Sequence, residues 1–510
     1  MADSKKIIND LKIHGIYTAK DARKNPNGVL SHGVLQATKT SLRIGWQNPL
    51  DADFTGVQIV LKENTAPTSA NDGVVVLTPN VGDVTDIVPS SVDGYEDLIR
   101  SVVAENLNAN TTYYFAFYPC DSVGVVEDSP NVIVSSGTTW GEGLLYGFTI
   151  NENDSSPEYS IKYIEDSSDF NACTVDNDTS TVNLNGWENR FPFNQIRIVT
   201  LDSNGSVTGE VDQTNFTQYT DGTAVSGDVM VEIPTVWWYT IKNGDVINCY
   251  ISNEKLSDDF HAPAHTRDNV VKDYLYIGVY LSTLESEILY SKSTGAVPSS
   301  SISCAKAEQY TANKGDGWNN MDYTSFSLLQ ILMVLVTKNL NTQTSFGYGV
   351  TSSSTSYSAN WITGFQDTNG LYCGSTSNYY AIPVKFMGIE NIWGNFSQPL
   401  SGVSILPTGI TLTPNNGTTT YQIPYTAISS SYMTKAYGST FAPFLPLSSA
   451  GGSSTTYYCD RCNVSSSGSK NVLYVECRKG SGTYVGGIFN LCSLDYTSYS
   501  SNISARIEFL

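Results

Sequence analysis

Four cysteines near the C-terminal end of the chain have residue types that could bind a metal. Cys459 and Cys462 have C-x-x-C spacing, and Cys477 and Cys492 follow as single cysteines. Four thiolates suit tetrahedral zinc, but the second pair lies 15 residues apart and does not repeat the C-x-x-C spacing. We therefore expect isolated free thiols and no bound metal. A zinc site and a disulfide within this set are the alternatives.

The histidines offer one further candidate for a metal site. His261 and His265 have the i, i+4 spacing that puts two ligands on one face of a helix. Pro263 lies between them and disfavours a helix, and the glutamate of an H-E-x-x-H motif is not present. Asp258, Asp259 and His261 could contact a cation, but a structural loop is the preferred interpretation.

The sequence contains no recognisable catalytic constellation. No G-x-S-x-G, Walker A or dinucleotide-binding fingerprint occurs where a strand would lead into a helix. We therefore predict that the protein is not an enzyme and has no catalytic residues, no metal and no cofactor.

The segment 457–500 has the residue types of a contact surface. Glycines and other scaffold-like residues alternate there with tyrosine, aspartate, asparagine and cysteine. Tyrosine supplies rigid amphipathic contact area, and small polar residues supply adaptable hydrogen bonds. An ordinary Tyr/Ser-rich β-surface is the alternative. We expect these residues to bind a ligand: Tyr457, Tyr458, Asp460, Cys462, Tyr484, Asn490, Cys492, Asp495, Tyr496 and Tyr499.

Composition limits the possible partners of the 510-residue chain. Charged residues make up 15% of it, against a usual share of about 25%, and the net charge is −21. This charge disfavours binding to nucleic acid and to anionic membranes. No run of about 18 apolar residues predicts membrane insertion, and we expect no secretory signal at the N-terminus. With nine mostly unpaired cysteines, this pattern suits a virion component assembled in the host cytoplasm.

Periodicity predicts a chain made mainly of β-strands with few helices. Residues 31–140 read as all-β, with apolar residues alternating at 42–46, 57–61 and 113–117. The clearest helix is predicted at 323–338, where the sequence is apolar on most faces and therefore typical of a buried helix. The basic residues 1–30 are expected to form an attachment arm.

The first part of the chain contains two short motifs, SLRIGWQNP (41–49) and Leu107-x-x-x-Thr111-x-Tyr113 before FAFYPCDSVG. They resemble motifs of a fibronectin type III domain. The resemblance implies a β-sandwich in which the hydroxyl of Tyr113 bonds to nearby backbone. Such a domain would be a spacer that presents another domain.

Several motifs follow one another in the second part of the chain: VEIPTVWWY (231–239), FHAPAH (260–265), GIENIWGN (388–395), TYVGGIFNL (483–491) and SSNISARIEFL (500–510). In GIENIWGN, isoleucines lie on both sides of the Glu-Asn pair, so we expect Glu390 to bond to backbone near the core and Trp393 to be buried. The order of the motifs resembles the C-type-lectin-like fold of the formylglycine-generating enzyme lineage. More closely, it is similar to the phage and bacterial ligand-binding branch that includes targets of diversity-generating retroelements. The sequence lacks the RGGSW and C-R-x-A-x-R elements of the enzymes, so none of their catalytic residues carries over.

The sequence therefore predicts an N-terminal fibronectin III-like β-sandwich followed by a C-terminal C-type-lectin-like α+β domain. The expected boundaries are 1–30 for the arm, 31–140 for the sandwich, 141–229 for a β-rich connection that is part of the head, and 230–510 for the head, with a variable region at 457–500. We expect a phage receptor-binding protein of the tail-fibre type that binds a host-surface protein or glycan. A homotrimer attached to other virion proteins through its N-terminus is expected. The alternative function is that of a structural or decoration protein of the virion, and an oxidase is the third hypothesis.

Overall fold

The structure is a computed structural model, and it describes part of the chain. The described residues are 26–30, 32–49, 53–78, 85–87, 99–126, 131–351, 360–377, 382–425, 427–465, 470–478 and 487–510. They are mainly β, with 39% strand, 10% helix and many antiparallel sheets. This confirms the predicted class of a mainly β protein with few helices. No helix within these ranges is both long enough and apolar enough to cross a membrane.

The chain divides into two compact units, Met1–Glu142 and Gly143–Leu510. Most of the predicted attachment arm lies outside the described residues. The second unit begins at Gly143, so the residues predicted to connect the domains belong to the same unit as 230–510. One reason is that a strand at 146–151 pairs with a strand at 246–252, which places both in one sheet.

Unit 1 contains two antiparallel sheets, as a β-sandwich does. One sheet has the strand order β1-β2-β6-β5, and the other has β4-β3-β7-β8 with β9 also paired to β7. The strands are β1 (His32–Ala37), β2 (Leu42–Trp46), β3 (Gly56–Glu63), β4 (Val74–Leu77), β5 (Thr85–Ile87), β6 (Ile99–Ala104), β7 (Thr112–Asp121), β8 (Gly124–Val125) and β9 (Ile133–Thr138).

The core of unit 1 comes from the alternating residues of β2, β3 and β7. Ile44, Ile59 and Phe115 have no exposed surface, so the three predicted strands are confirmed. The backbone N–H of Asn108 donates to the hydroxyl of Tyr113 at 2.9 Å. This bond ties the start of β7 to the preceding turn.

Unit 2 is built from 28 strands and three helices among its described residues. The helices are α1 (Cys304–Ala312), α2 (Tyr323–Thr337) and α3 (Thr342–Ser345). The strands are β10 (Tyr146–Asn151), β11 (Ile161–Glu165), β12 (Thr174–Asp176), β13 (Thr181–Asn183), β14 (Arg197–Leu201), β15 (Val207–Glu210), β16 (Asp228–Pro234), β17 (Trp237–Asn243), β18 (Val246–Ser252), β19 (Thr266–Arg267), β20 (Val270–Val271), β21 (Tyr274–Gly278), β22 (Thr283–Glu285), β23 (Ile288–Tyr290), β24 (Trp318–Asn320), β25 (Lys385–Phe386), β26 (Ile389–Glu390), β27 (Gln398–Pro399), β28 (Val403–Leu406), β29 (Gly409–Leu412), β30 (Tyr421–Ile423), β31 (Ile428–Tyr432), β32 (Lys435–Ala436), β33 (Pro446–Ser448), β34 (Arg461–Val464), β35 (Asn471–Val475), β36 (Leu491–Asp495) and β37 (Ile507–Phe509).

Three larger sheets form the framework of unit 2. The first has the order β11-β10-β18-β17, and the second has β15-β14-β16-β21-β37-β24. The third has β30-β29-β28-β35-β36-β34-β31, with β27 paired to β35. The remaining strands form two-stranded pairs, such as β19-β20. The C-terminal strand β37 therefore lies between β21 and β24, which joins the end of the chain to the middle of the unit.

Helix α2 lies in the core of unit 2, as its apolar sequence predicts. All 15 of its residues are buried. The carboxylate of Asp322 accepts the backbone N–H of Thr324 at 2.8 Å and caps the first turn. Lys338 adopts a left-handed conformation and ends the helix. The main helix at 323–338 is thus confirmed to within one residue.

The GIENIWGN segment folds as a set of tight turns around a buried tryptophan. Trp393 has no exposed surface, and its Nε1 donates to the carbonyl of Gly347 at 3.3 Å. Gly394 has φ = 85°, and a Cβ there would lie 2.7 Å from the backbone nitrogen of Val350. Both backbone conformation and close approach therefore require glycine at this position.

Candidate binding site

The structure corrects the prediction of one exposed contact face at 457–500. Tyr458, Asp460, Cys462, Asn490 and Cys492 are between 0% and 3% exposed, so none of them lies on an exposed face. Strands β34 and β36 are neighbours inside the eight-stranded sheet. Most side chains of β34, β35 and β36 are buried, because the sheet is covered on both faces over much of their length.

The buried polar members of this set stabilise the fold locally. The hydroxyl of Tyr458 donates to Glu152 at 2.8 Å, and its ring packs edge-on against Phe489. Asp460 accepts the backbone N–H of Phe489 at 2.9 Å. The side-chain amide of Asn490 donates to the carbonyl of Arg461 at 2.7 Å. Each of these three side chains has at least one partner inside the protein, which is the usual condition for burying it, although Oδ1 of Asn490 has none among the described residues.

The other predicted contact residues differ in their exposure and in their partners. Tyr457 is partly buried, and its N–H donates to the carbonyl of Ser155. Tyr496 is partly buried beside α1, where its hydroxyl bonds to Glu308. Asp495 accepts hydrogen bonds from Thr497 in a turn. Tyr499 is 74% exposed, and Tyr484 lies outside the described residues.

All nine cysteines are buried, and none of them forms a disulfide. Burial raises the pKa of Cys462 to about 12 and raises the pKa of Cys477 and Cys492 well above the usual value. A thiol with a raised pKa remains protonated near neutral pH, and only the thiolate is a good metal ligand or nucleophile. Within the described residues, no group of three or more His, Cys, Asp or Glu side chains could hold a metal ion.

Glu390 bonds to backbone in the core, as its position in GIENIWGN predicts. It accepts the backbone N–H of Gln366 at 3.1 Å. Burial raises the pKa of its carboxyl, and the nearby Lys385 opposes the increase. The amine of Lys385 donates to the carbonyl of Gln366 at 2.9 Å. These two charged side chains therefore connect neighbouring segments of the core.

A second buried carboxyl, Glu508, makes stability depend on pH. Burial, together with the nearby Asp322 carboxylate, raises its pKa to about 8. In the unfolded chain a glutamate carboxyl releases its proton at about pH 4.3. The folded protein therefore holds an extra proton between these two values, and the free energy of unfolding falls as pH rises across that range.

Glu508→Gln should remove this contribution because glutamine cannot release a proton. Denaturant unfolding at several pH values from 5 to 8.5 measures the effect. The variant should lose less stability with rising pH than the wild type, by up to about 1.4 kcal/mol per pH unit. The exposed Glu285→Gln is the matched control and should keep the wild-type slope. Identical slopes for wild type and Glu508→Gln would refute the titration of Glu508.

One concave surface of unit 2 is a cavity of about 320 Å³ lined by aromatic rings. We call it the aromatic groove. Its rings come from Trp237, Phe260, His261, Tyr421 and Phe441. Its polar rim comes from Asp268, Asn269, Thr418 and Thr419. Small-molecule sites are typically concave and mainly apolar with a few placed polar groups, and the aromatic groove has this composition.

Hydrogen bonds fix the segments that carry the rings. Trp238, the neighbour of Trp237, is buried and donates from Nε1 to the carbonyl of Thr440 at 2.8 Å. Its backbone also pairs with that of His261. Through these two contacts of Trp238, strand β17 positions His261 and the neighbour of Thr440, Phe441. The aromatic groove is thus built on a strand rather than on a free loop.

The lining segment 263–266 is fixed by the buried side chain of Asn415. Its amide donates to the carbonyls of Pro263 at 3.0 Å and Thr266 at 2.9 Å. Its backbone N–H donates to Asp322 at 2.9 Å, which is the residue that caps α2. The rim of the aromatic groove is thereby connected to the central helix.

The polar rim includes a tight hairpin turn between β19 and β20. Asp268 and Asn269 form its two-residue loop and have φ values of 51° and 63°. Two successive left-handed residues are the requirement of a type I′ turn, which favours Asp, Asn and Gly. The hydroxyl of Thr419 donates to Oδ1 of Asn269 at 3.1 Å, so two segments of the rim are linked.

A larger open depression of about 920 Å³ lies beside Tyr274, Tyr276 and Phe509. Several of its polar side chains already have partners. Arg267 pairs with Asp316 at 2.9 Å, and Tyr276 donates to Glu232 at 3.1 Å. The lining of the aromatic groove carries more aromatic rings than that of this depression, so we regard the aromatic groove as the stronger candidate site.

The arrangement of the aromatic groove suits recognition rather than bond-making chemistry. Partial burial and the charge of Lys255 lower the pKa of His261, so its ring is neutral near neutral pH. Within the described lining of the aromatic groove, no hydroxyl or thiol is hydrogen-bonded to this imidazole. Sequence reasoning missed the site because its rings lie far apart in the chain. Neither a protein-family model nor any curated protein matches this chain.

Proposed function

We propose that this chain is a phage receptor-binding protein of the adhesin type. Unit 2 would be the ligand-binding head, and unit 1 would be a spacer that presents it. The observation that carries this proposal is the aromatic groove, a cavity with aromatic walls and a polar rim on a hydrogen-bonded framework. Sites of this composition hold ligands by shape and by a few directed hydrogen bonds.

The architecture of each unit supports these roles. In unit 1, the two antiparallel sheets and the bond from Asn108 to Tyr113 support a fibronectin III-like sandwich. In unit 2, the buried helix α2, the buried Trp393 and the turn at Gly394 support a C-type-lectin-like head. Rigid frameworks of this kind commonly carry binding residues on their surface segments.

A structural or decoration protein of the virion is the second candidate. The burial of five predicted contact residues favours it over a diversified face at 457–500. A homotrimer remains a prediction in either case, as do attachment to other virion proteins and location in the virion. The mass of the intact protein in solution, measured by light scattering, would distinguish a trimer from the 55.5 kDa monomer.

The proposal is tested by binding of the labelled full chain to a panel of bacterial strains. We expect saturable binding to some strains and not to others. Trp237→Ala, which removes one wall of the aromatic groove, should weaken binding about ten-fold or more, as loss of an aromatic hot spot does. Tyr159→Ala is the matched control, because Tyr159 is 74% exposed and is not part of the aromatic groove.

Three outcomes are informative. Saturable binding that is lost only in Trp237→Ala supports the proposal. Equal binding by wild type and both variants would show that the aromatic groove is not the site. Binding to no strain in a panel that includes the host would favour the structural role.

A further inference from the structure

We infer that the aromatic groove binds a neutral saccharide. This inference rests on the proposed function, in which the aromatic groove is the ligand-binding site, and it adds the chemical class of the ligand. Three properties of the aromatic groove carry this inference: its aromatic surface, the hydrogen-bonding groups in its lining, and its charge.

The aromatic surface is a row of three rings. Tyr421 and Phe441 stack with their centroids 3.8 Å apart and an angle of 22° between the rings. His261 continues the row, with its centroid 5.1 Å from that of Phe441. All three side chains keep some exposure to solvent. The electron-rich ring faces attract polarised C–H groups, and a sugar ring presents a set of C–H groups on its faces.

The rim supplies groups that match hydroxyls. The carboxylate of Asp268 accepts hydrogen bonds, whereas the amide of Asn269 and the hydroxyls of Thr418 and Thr419 can both donate and accept. The bond from Thr419 to Oδ1 of Asn269 orients the amide. Within the described residues, Nδ2 of Asn269 has no hydrogen-bond acceptor. A saccharide has hydroxyls around the edge of its ring, so one ligand can satisfy both the rings and the rim.

The charge of the aromatic groove favours a neutral ligand over an acidic one. Asp268 makes no ion pair within the described residues, so it would repel a carboxylate or a phosphate. Lys255, the only ammonium group that lines the cavity, is paired with Asp258 at 2.7 Å. His261 is neutral near neutral pH. The net charge of −21 adds to this repulsion.

The size of the cavity suits a small ligand better than a protein surface. Its volume of about 320 Å³ lies at the lower end of the range for small-molecule sites. A stable protein partner normally covers about 800 Å² on each side, so it would have to contact much surface outside this cavity. The expected ligand is therefore the end of a saccharide chain.

The test uses the full chain and saturation-transfer NMR with named saccharides. The neutral probes are the methyl pyranosides of glucose, galactose, mannose and N-acetylglucosamine, and the acidic probe is N-acetylneuraminic acid. We expect transfer to the C–H protons of at least one neutral probe and none to the acidic probe. Tyr421→Ala and Asn269→Gly should each weaken binding about ten-fold, which corresponds to about 1.4 kcal/mol.

Asn269→Gly keeps the turn intact, because glycine adopts positive φ readily. Tyr274→Ala is the matched control, since Tyr274 is 41% exposed and lines the other depression. The thermal unfolding midpoint of each variant reports whether it still folds. Binding that is equal in all folded variants would overturn the assignment to the aromatic groove.

Binding to cells before and after periodate oxidation separates the two proposals. Periodate cleaves the vicinal diols of sugars, so oxidation should abolish binding of the chain to a strain that it recognises. Unchanged binding to oxidised cells, with no transfer to any neutral probe, would overturn the saccharide inference and leave the adhesin proposal standing. No binding to any strain, whether oxidised or not, would overturn both.

Discussion

Arg506→Met is expected to destabilise unit 2 by about 3–5 kcal/mol. This is the usual cost of breaking a buried charged network. Arg506 is 1% exposed, although methionine could fill much of its volume. The loss arises because the guanidinium donates five hydrogen bonds inside the protein. Buried carbonyls that lose their donors keep the full cost of desolvation.

The five bonds join three segments that are distant in sequence. Arg506 donates to the carbonyls of Gly278 and Val279 at 2.8 and 3.0 Å. It donates to the carbonyls of Glu390 and Asn391 at 2.7 and 3.1 Å. The fifth bond, at 2.9 Å, reaches the side chain of Gln398. Removing the guanidinium therefore weakens the connection between the C-terminal segment and the GIENIWGN turns.

Chemical denaturation monitored by tryptophan fluorescence measures this loss. The matched control is Arg461→Met, because the guanidinium of Arg461 bonds to Ser430 at the surface and surface changes usually stay within about ±0.5 kcal/mol. The transition of unit 1 should be unaffected by either change. A midpoint for Arg506→Met equal to that of Arg461→Met would contradict the role assigned to Arg506.

Trp393→Ala is expected to cost about 3–5 kcal/mol, as removal of a buried large aromatic side chain does. The ring has no exposed surface, and it packs edge-on against Phe346 with the centroids 6.3 Å apart. A Cβ on Gly349 would lie 3.1 Å from the ring, so the backbone also fits closely around it. Alanine would leave a cavity that these neighbours cannot fill without moving.

The same denaturation experiment tests this prediction, with Trp393→Phe as the control. Phenylalanine keeps most of the buried apolar surface and loses only the Nε1 bond to Gly347, so it should cost less than half as much as alanine. Losses of equal size for the two variants would show that the hydrogen bond matters more than the volume. A loss below about 1 kcal/mol for alanine would contradict the central packing of Trp393.

The features that could be predicted from the sequence depend on local patterns. The alternation that contains Ile44, Ile59 and Phe115 predicted buried strands because side chains alternate across a strand. The apolar run at 323–337 predicted a buried helix because apolar side chains occupy most faces of that helix. Glu390 was expected to bond to backbone because isoleucines lie on both sides of the Glu-Asn pair, and it does so through Gln366.

The features that could not be predicted depend on contacts between distant segments. Tyr458 and Asp460 have the residue types of a contact surface, but their partners Glu152 and Phe489 make them part of the core. Such a tyrosine or aspartate can be assigned to surface or core only when its partner is known. The aromatic groove likewise joins Trp237 to Tyr421 across a long stretch of chain, and no local spacing indicates this.

Hydrogen–deuterium exchange of the full chain tests most directly whether the aromatic groove binds the ligand. The chain would be incubated with and without envelope fragments from a bacterial strain that it binds. We expect slower exchange at 261–271, 417–421 and 440–442, the segments that form the walls and rim. Protection confined to residues around the exposed Tyr499, or to unit 1, would contradict the assignment.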